Sequence, residues 1–379
     1  MISPPASPVS ANAHSAYAPS ADTLRHENLD SNGRGQFHKG PSLLAFSIKP
    51  LPPFRLDLTA WTLRRRPSNA IDRWDGEHYR RVLVLNNAPF EVAVAQSGSV
   101  DRPHLDMTLT GSQLVPEAKI FALRSLERLL GLQVDLAEFY RLFANDTKLG
   151  PLVSRFRGAK PPRFPTLFEA LVNAIACQQV SLSLGILLLS RLAENFGMVV
   201  ETNHGEAHAF PRPEDVANLQ PADFRALGFS LQKGRAIIAL ARAYSSGEHE
   251  WVRLETADNS AVVNQLLHLQ GIGRWSAEYV LLRGLRRLDV YPGDDVGARN
   301  NLKRWLGLRR PLDYDGVRRI TDRWQPYAGL VYFHMLLDRL AAGGNLVIGE
   351  PGERSPASVV FTANLRKDWK NHDPGQTSL

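Results

Sequence analysis

From about Pro165 onward, apolar residues recur at the three- and four-residue spacing of amphipathic helices, in short segments separated by Gly, Pro, Asn or Asp. Clear examples are LFEALVNAIACQQVS, SLGILLLSRLAENFG, LQKGRAIIALARAYSSG, NSAVVNQLLHL and PYAGLVYFHMLLDRLAAGG. No internal repeat accompanies them. The pattern predicts a compact helical domain of about 180 residues with no intervening strands.

The stretch from Leu44 to Thr110 has a different periodicity. Apolar and polar residues alternate there, as in half-buried strands, in the runs LLAFSIKP, FRLDLTAW, YRRVLVLN, FEVAVAQS and HLDMTLTG. Residues 86–89 (Asn-Asn-Ala-Pro) fit a hairpin turn. Residues 116–131 switch to helical spacing and end on a glycine. We therefore expect an antiparallel sheet with one or two helices on it, and an α+β chain.

These patterns divide the chain. We predict an N-terminal sheet-plus-helix domain over 43–131 and an all-helical domain over 132–348. Residues 1–42 and 349–379 show no apolar periodicity, and we expect both to be flexible tails. The first of them lacks the apolar stretch of a signal peptide and the arginine-rich face of a transit peptide.

Charge and cysteine content exclude several classes of protein. The net charge of +7 permits a polyanionic partner without establishing one. The single cysteine, Cys177, excludes a disulfide framework, a multi-thiolate zinc site and a cysteine-ligated iron–sulfur cluster. The histidines form no HxxxH or HxH cluster that would indicate zinc. No run reaches the roughly 18 consecutive apolar residues of a membrane span.

The most informative stretch is 266–306, LLHLQGIGRWSAEYVLLRGLRRLDVYPGDDVGARNNLKRWL. A helix is predicted to stop at Leu269–Gln270, and a second helix to start at Arg274. Between them, Gly271 and Gly273 permit a tight turn and a close approach to a partner, while Ile272 can point inward. The amides at the start of the second helix would then face outward, where a phosphate can bind. This helix-hairpin-helix pattern predicts binding to the DNA backbone without recognition of the base sequence.

Two aspartates, Asp294 and Asp295, follow a Pro–Gly turn at the predicted start of another helix. One role for such a residue is structural, because Asp is a favoured helix N-cap. The other role is chemical. The helix dipole favours an ionised carboxylate at this position, and such a carboxylate stabilises a cationic transition state, as in cleavage through an oxocarbenium ion.

The segment GIGRWSAEYVLLRG followed by YPGDDVGARN resembles the helix-hairpin-helix plus Gly/Pro…Asp signature of the DNA glycosylase superfamily. Within it, the sequence is most similar to the 3-methyladenine DNA glycosylase II family, which excises alkylated bases. Further segments fit that family in order, namely FPTLFEALVNAIACQQVSLSLG, FPRPEDVANL, FRALGFSLQKGRAIIALARA and RWQPYAGLVYFHML. The resemblance covers roughly residues 43–342.

The resemblance implies a role for each aspartate. The family's catalytic carboxylate falls on Asp295, which leaves Asp294 as the expected helix cap. Lytic members of the superfamily carry a Schiff-base lysine where this chain has Trp275, and the pKa of the adjacent Arg274 is too high for an amine-type nucleophile. The resemblance therefore implies a monofunctional enzyme that hydrolyses the N-glycosidic bond with water and leaves an abasic site.

The resemblance also assigns substrate-binding residues. Trp275 and Tyr279 are four apart and share a helix face. They would line the base pocket, where each ring attracts a cationic base by about 0.5–2 kcal/mol. Spacing alone favours an aromatic pair in the core. Gln179 occupies the position of the side chain that fills the gap left by the flipped base. That residue is often leucine in the family, so a surface or capping glutamine stays an alternative.

The remaining predictions concern DNA and ions. Gly271, Gly273 and Arg274 are predicted to contact DNA. Three hairpin carbonyls match those that hold Na⁺ or K⁺ in the superfamily, and no other cofactor is expected. They belong to Leu267, Leu269 and Ile272, and the two leucines are otherwise expected in the core.

Basic residues that would contact phosphates fall in clusters. They are Arg64–Arg65–Arg66, Arg80–Arg81, Arg155/Arg157/Lys160/Arg163, Arg286–Arg287, Arg299 and Lys303–Arg304. The partner is expected to be double-stranded DNA containing damaged bases, bound by a cytoplasmic, nucleoid-associated monomer with no membrane contact. Two alternatives stay open: a glycosylase for oxidised or deaminated bases, and a non-catalytic helix-hairpin-helix DNA-binding protein.

Overall fold

In the computed structural model, residues 42–247 and 251–346 are described, and they form an antiparallel sheet followed mainly by helices. The predicted α+β class is confirmed. The two predicted tails lie outside the described residues, apart from Ser42. Within the described ranges, no helix is long and apolar enough to cross a bilayer.

The N-terminal sheet has five strands in the order β1-β5-β4-β3-β2, all antiparallel. Its strands are β1 (Ser42–Ile48), β2 (Arg73–Trp74), β3 (His78–Leu85), β4 (Ala88–Ser97) and β5 (His104–Gly111). The β3–β4 hairpin pairs Leu85 with Ala88 across a two-residue turn. Asn86 and Asn87 have φ of 50° and 61°, the left-handed pair that a type I′ turn requires. The predicted hairpin turn is therefore confirmed.

The run FRLDLTAW, predicted as a strand, instead leads into helix α1 (Leu56–Arg64), which contains all of it except Phe54 and Arg55. This helix packs against other elements on most sides, so nearly every residue in it is buried and no polar face marks a helical period. The hydroxyls of Thr59 and Thr62 donate to carbonyls one turn back, at 2.8 Å each. Arg65 ends the helix, and its amide donates to the carbonyl of Trp61.

Helix α2 (Ala118–Leu130) follows the sheet as expected, and Gly131 ends it with φ of 63°. The helices that follow before residue 200 are α3 (Ala137–Phe143), α4 (Leu149–Arg155), α5 (Leu167–Cys177) and α6 (Leu182–Phe196). Two short strands then interrupt the helices, β6 (Val199–Thr202) and β7 (Gly205–His208), so the expectation of no strands in this part of the chain was wrong. Val200 and Ala207 from this hairpin pack with Val82 of the main sheet, which explains why so short a hairpin is retained.

The remaining helices build the C-terminal half of the described chain. They are α7 (Pro213–Val216), α8 (Pro221–Ala226), α9 (Leu231–Ser246), α10 (Asn259–Leu267), α11 (Arg274–Gly284), α12 (Val296–Leu306), α13 (Tyr314–Thr321) and α14 (Ala328–Ala342). One apolar core joins the sheet and α2 to α5, α6, α9 and α11. A second joins α3 and α4 to α12 and α14. Both cores meet at α11, which contributes residues to each of them.

Candidate active site

The hairpin is formed by α10, a turn and α11. Ile272 is buried in the turn, as predicted, and Gly271 has a φ of 81°. A Cβ on Gly271 would lie 2.8 Å from the Cβ of Ala236 on α9, so this glycine is needed for close packing. Gly273 is exposed and a Cβ there would meet nothing within 4 Å. The outer side of the turn is therefore open to a ligand.

The start of α11 presents its first amides to solvent at the positive end of the helix dipole. Helix α10 ends at Leu267, slightly before the predicted stop, and Leu267 is 45% exposed rather than in the core. The carbonyl of Leu269 accepts the amide of Ile272 at 3.1 Å, which leaves its second lone pair for another partner. The cation site at the three hairpin carbonyls stays a prediction.

Asp295 is the N-cap of α12. One carboxylate oxygen, Oδ1, accepts the amide of Ala298 at 2.7 Å, and the other, Oδ2, accepts the indole N–H of Trp275 at 3.1 Å. The expectation that Asp294 caps this helix was wrong. Asp295 directly precedes the first helical residue, where its side chain can reach the amide three residues on, and Asp294 stands one residue too early.

Asp294 pairs with Arg274 instead. The Nε and Nη2 atoms of Arg274 donate to the Asp294 carboxylate at 2.5 and 3.1 Å. The guanidinium also lies 4.1 Å from the ring centroid of Tyr314, whose hydroxyl donates to Glu278 at 2.7 Å. The turn that carries the two aspartates is thereby fastened to the first turn of α11 at two points, through Asp294 and through Asp295.

Trp275 and Tyr279 lie side by side, with ring centroids 5.5 Å apart and planes inclined by 31°. Trp275 is half-buried and Tyr279 is buried. The hydroxyl of Tyr279 donates to Oδ1 of Asn173 and accepts Nη1 of Arg65, at 2.9 Å each. Burial raises the pKa of Tyr279 to about 12, so its phenol is protonated at neutral pH. The structure thus brings Trp275, Tyr279 and Asp295 together.

The loop between α5 and α6 carries Gln179, which is exposed and has a φ of 53°, an unfavourable conformation for this residue type. The neighbouring Gln178 donates through Nε2 to the carbonyl of Gly271 and the hydroxyl of Ser276, both at 2.7 Å. Lys233 donates to the carbonyls of Ala176 and Gln178, at 2.9 and 2.7 Å. Gln179 is therefore held beside the hairpin, and its role as the wedge stays a prediction.

Several predicted phosphate contacts are buried, and for those the prediction was wrong. Arg81 lies inside the protein, where it donates to Asp72 and Glu169. Arg64 and Lys160 are buried as well and donate to backbone carbonyls. Arg286 and Arg287 are half-buried and also donate to backbone carbonyls. These contacts make the side chains structural, because a cation removed from water must find acceptors within the protein. The clusters that reach the surface include Arg155, Arg157, Arg299, Lys303 and Arg304.

Sequence reasoning missed the groups that surround the aromatic pair. Arg65, Asn173 and Arg283 come from three different helices or helix ends. Gln178 ends the same helix as Asn173, and Lys233 comes from a fourth helix. No local pattern could have found them, because only the tertiary fold brings them to Tyr279 and to the hairpin.

Comparisons with known proteins agree with this geometry. The model of the HhH-GPD superfamily of base excision DNA repair proteins matches residues 172–326. DNA-3-methyladenine glycosylase 2 of Escherichia coli K12 is 30% identical over 207 residues, which cover 53% of this chain and 70% of that protein. The DNA-3-methyladenine glycosylase of Bacillus subtilis 168 is 31% identical over 201 residues, and the match spans 53% of this chain and 66% of that protein.

Among solved structures, the 3-methyladenine DNA-glycosylase from Archaeoglobus fulgidus is similar with a TM-score of 0.67 and 26% identity, over 80% of this chain and 100% of that chain. Fold and site together define a helix-hairpin-helix protein of base excision DNA repair. The chain belongs to the HhH-GPD superfamily, and within it to the 3-methyladenine DNA glycosylase family.

Proposed function

We propose that this protein is a monofunctional DNA glycosylase that flips alkylated, 3-methyladenine-type bases out of double-stranded DNA and hydrolyses their N-glycosidic bond. The observation that carries the proposal is the Asp295 carboxylate, fixed between the amide of Ala298 and the indole of Trp275. A protein that only bound DNA would need neither this carboxylate nor the aromatic pair beside it.

The chemistry follows from the charge that develops on the sugar. As the bond between C1′ and the base nitrogen breaks, its electron pair leaves with the base and the sugar becomes an oxocarbenium-like cation. A preorganised carboxylate such as Asp295 stabilises that cation, and it helps to orient the water that attacks C1′. The hairpin amides would hold the DNA backbone while the base is rotated out, which itself costs a few kcal/mol.

The absence of lyase activity forms part of the proposal. Trp275 stands where a Schiff-base lysine would be needed, and Arg274 is engaged with Asp294, whose hydrogen bond raises the pKa of Arg274 further. Lys233 approaches the site, but its ammonium group donates to one carbonyl in the last turn of α5, that of Ala176, and to the carbonyl of Gln178. An ammonium held in this way is not free to attack C1′.

Two assays on one preparation test the proposal. Incubation with a duplex containing 3-methyladenine should release the base, and strands should break only after alkali or heat. Borohydride added to the reacting complex should trap no covalent protein–DNA adduct. A trapped adduct that disappears in Lys233→Met would replace the monofunctional assignment with a lyase acting through Lys233. Duplex binding without base release would favour the non-catalytic DNA-binding protein.

We further propose that the enzyme acts as a monomer on duplex DNA and needs no added cofactor. The hairpin carbonyls could supply oxygen ligands to Na⁺ or K⁺, since carbonyl oxygens suit hard cations. Replacing both ions by a bulky organic cation at constant ionic strength should then weaken DNA binding. Equal DNA affinity in the two buffers would show that neither Na⁺ nor K⁺ contributes to DNA binding.

A further inference from the structure

Arg65 occupies a position that usually belongs to glycine. It is the residue that ends helix α1, and its φ of 60° lies in the left-handed region. Non-glycine residues adopt this conformation at a cost, and they persist where the surrounding structure requires them. The side chain of Arg65 is almost completely buried, with 4% of the residue exposed. The surrounding structure therefore holds its guanidinium in one place inside the protein.

The guanidinium is directed at the wall of the predicted base pocket. Its Nη1 donates to the hydroxyl of Tyr279 at 2.9 Å, its Nη2 donates to Asn173 at 2.7 Å, and its Cζ lies 5.9 Å from the centroid of the Tyr279 ring. Its Nε is buried and has no hydrogen-bond partner among the described residues. Both partners are neutral groups. Within 42–247 and 251–346, no carboxylate forms an ion pair with Arg65.

A second guanidinium reinforces the first. Arg283 on α11 is also buried, and its Cζ lies 5.8 Å from the centroid of the Tyr279 ring. It donates to the carbonyl of Thr62 at 3.2 Å. Arginine stays protonated at any physiological pH. Tyr279 therefore faces two fixed positive charges before any substrate arrives, and part of its π-electron density already interacts with them.

We propose that Arg65 is a specificity-determining residue, whose charge behind the Tyr279 wall penalises cationic bases relative to neutral ones. This inference rests on the proposed glycosylase function and goes beyond it. Like charges repel strongly where water is excluded. A neutral base meets no such repulsion, so the buried charge of Arg65 disfavours the cationic base alone.

The test compares two lesions in the same protein preparation. One duplex carries 3-methyladenine, which is cationic in DNA, and a second carries hypoxanthine, which is neutral. Single-turnover rates of base release are measured for both, and their ratio is taken. The fraction of folded protein and any effect on the oxocarbenium ion change both rates by the same factor, so they do not alter the ratio. A merely structural role of Arg65 would therefore leave the ratio unchanged.

Two substitutions separate charge from geometry. Arg65→Gln removes the charge and keeps a donor, and it should raise the cationic-to-neutral ratio about tenfold, the effect of one unit charge about 10 Å away at an effective dielectric constant of about 20. Arg65→Lys keeps the charge and should leave the ratio within about threefold of the wild-type value. Asn173→Ala, which loosens Arg65 without removing its charge, should lower both rates together.

The outcomes are distinct. A ratio that is unchanged in Arg65→Gln, with both bases still released, overturns the assignment of Arg65. Failure of the wild-type protein to release hypoxanthine while it releases 3-methyladenine also overturns it. Failure of the wild-type protein to release either base overturns the proposed function itself.

Discussion

The indole N–H of Trp275 donates to Oδ2 of Asp295 over 3.1 Å, so a side chain at the start of α11 holds the candidate catalytic carboxylate. The other oxygen of Asp295 is held by the amide of Ala298. Each carboxylate oxygen thus has a fixed donor, one from α11 and one from α12. This arrangement predicts that Trp275 acts as a positioning residue as well as a pocket wall.

Trp275→Phe removes the indole donor and keeps an aromatic ring. Because a hydrogen bond to a charged group is worth about 1.5–3 kcal/mol, we expect base release to slow by roughly 10- to 100-fold with duplex affinity unchanged. Single-turnover rates and duplex binding measure the two effects separately. Trp305→Phe, at the far end of α12, is the matched control and should have little effect. Equal rates in the two variants would show that the indole does not position Asp295.

The choice of lesion tests the aromatic wall. We expect cationic 3-methyladenine, whose glycosidic bond is already weak, to be released faster than neutral 8-oxoguanine. Tyr279→Ala should slow the release of 3-methyladenine by a larger factor than Tyr327→Ala, which alters a partly exposed tyrosine. Tyr279→Phe, which keeps the ring and removes only the hydroxyl bonded to Arg65 and Asn173, should have an intermediate effect. Equal rates of base release from the two lesions would favour the alternative of a glycosylase for oxidised bases.

Phosphate binding at the hairpin predicts duplex affinity that falls steeply with salt and depends little on sequence. Gly273→Leu should lower that affinity by about tenfold or more, because a side chain would cover the amides at the start of α11. Thermal unfolding should be unchanged, since a Cβ at this glycine meets no neighbour. Ser154→Leu, on the exposed side of α4, is the control for an added apolar side chain. A duplex affinity that does not change with salt concentration would contradict phosphate binding at the hairpin.

A buried histidine predicts how stability depends on pH. His334 lies in the second core, and desolvation lowers its pKa from 6.5 to about 4. The unfolded chain therefore binds a proton between these values that the folded chain excludes, so the free energy of unfolding falls as the pH drops below about 6.5. From pH 7.5 to 5 this group should cost about 2 kcal/mol. Urea unfolding of the wild type and of His334→Leu at both pH values should show that difference in their pH dependence. If the free energy of unfolding changed with pH by the same amount in both proteins, His334 would not be the source of this pH dependence.

The parts of the fold that sequence predicted are those determined locally. The β3–β4 hairpin follows from two asparagines that accept positive φ, and helix α2 from a clear apolar stripe that ends on Gly131. The hairpin at Gly271 and Gly273 belongs to the same class. Each of these signals lies within a few residues, so no knowledge of the tertiary structure is needed.

The parts that sequence could not predict depend on surroundings. Helix α1 is buried on most sides, which removes the polar face that would reveal its period. Arg65, Arg81 and Lys160 look like surface cations in the sequence, and only the fold shows that they are buried. Which of two consecutive aspartates caps α12 depends on the residue at which the helix starts, and sequence patterns locate helix ends poorly.

Asp295→Asn tests the central claim most directly, with Asp294→Asn as its neighbour control. The asparagine can still cap α12 through its carbonyl oxygen, but it carries no negative charge and turns its amide toward the Trp275 donor. Fold and duplex affinity should survive, and single-turnover release of 3-methyladenine should fall by about 10²–10³-fold or more. Asp294→Asn weakens only the contact with Arg274 and should cost far less. Full base release by Asp295→Asn would contradict the mechanism.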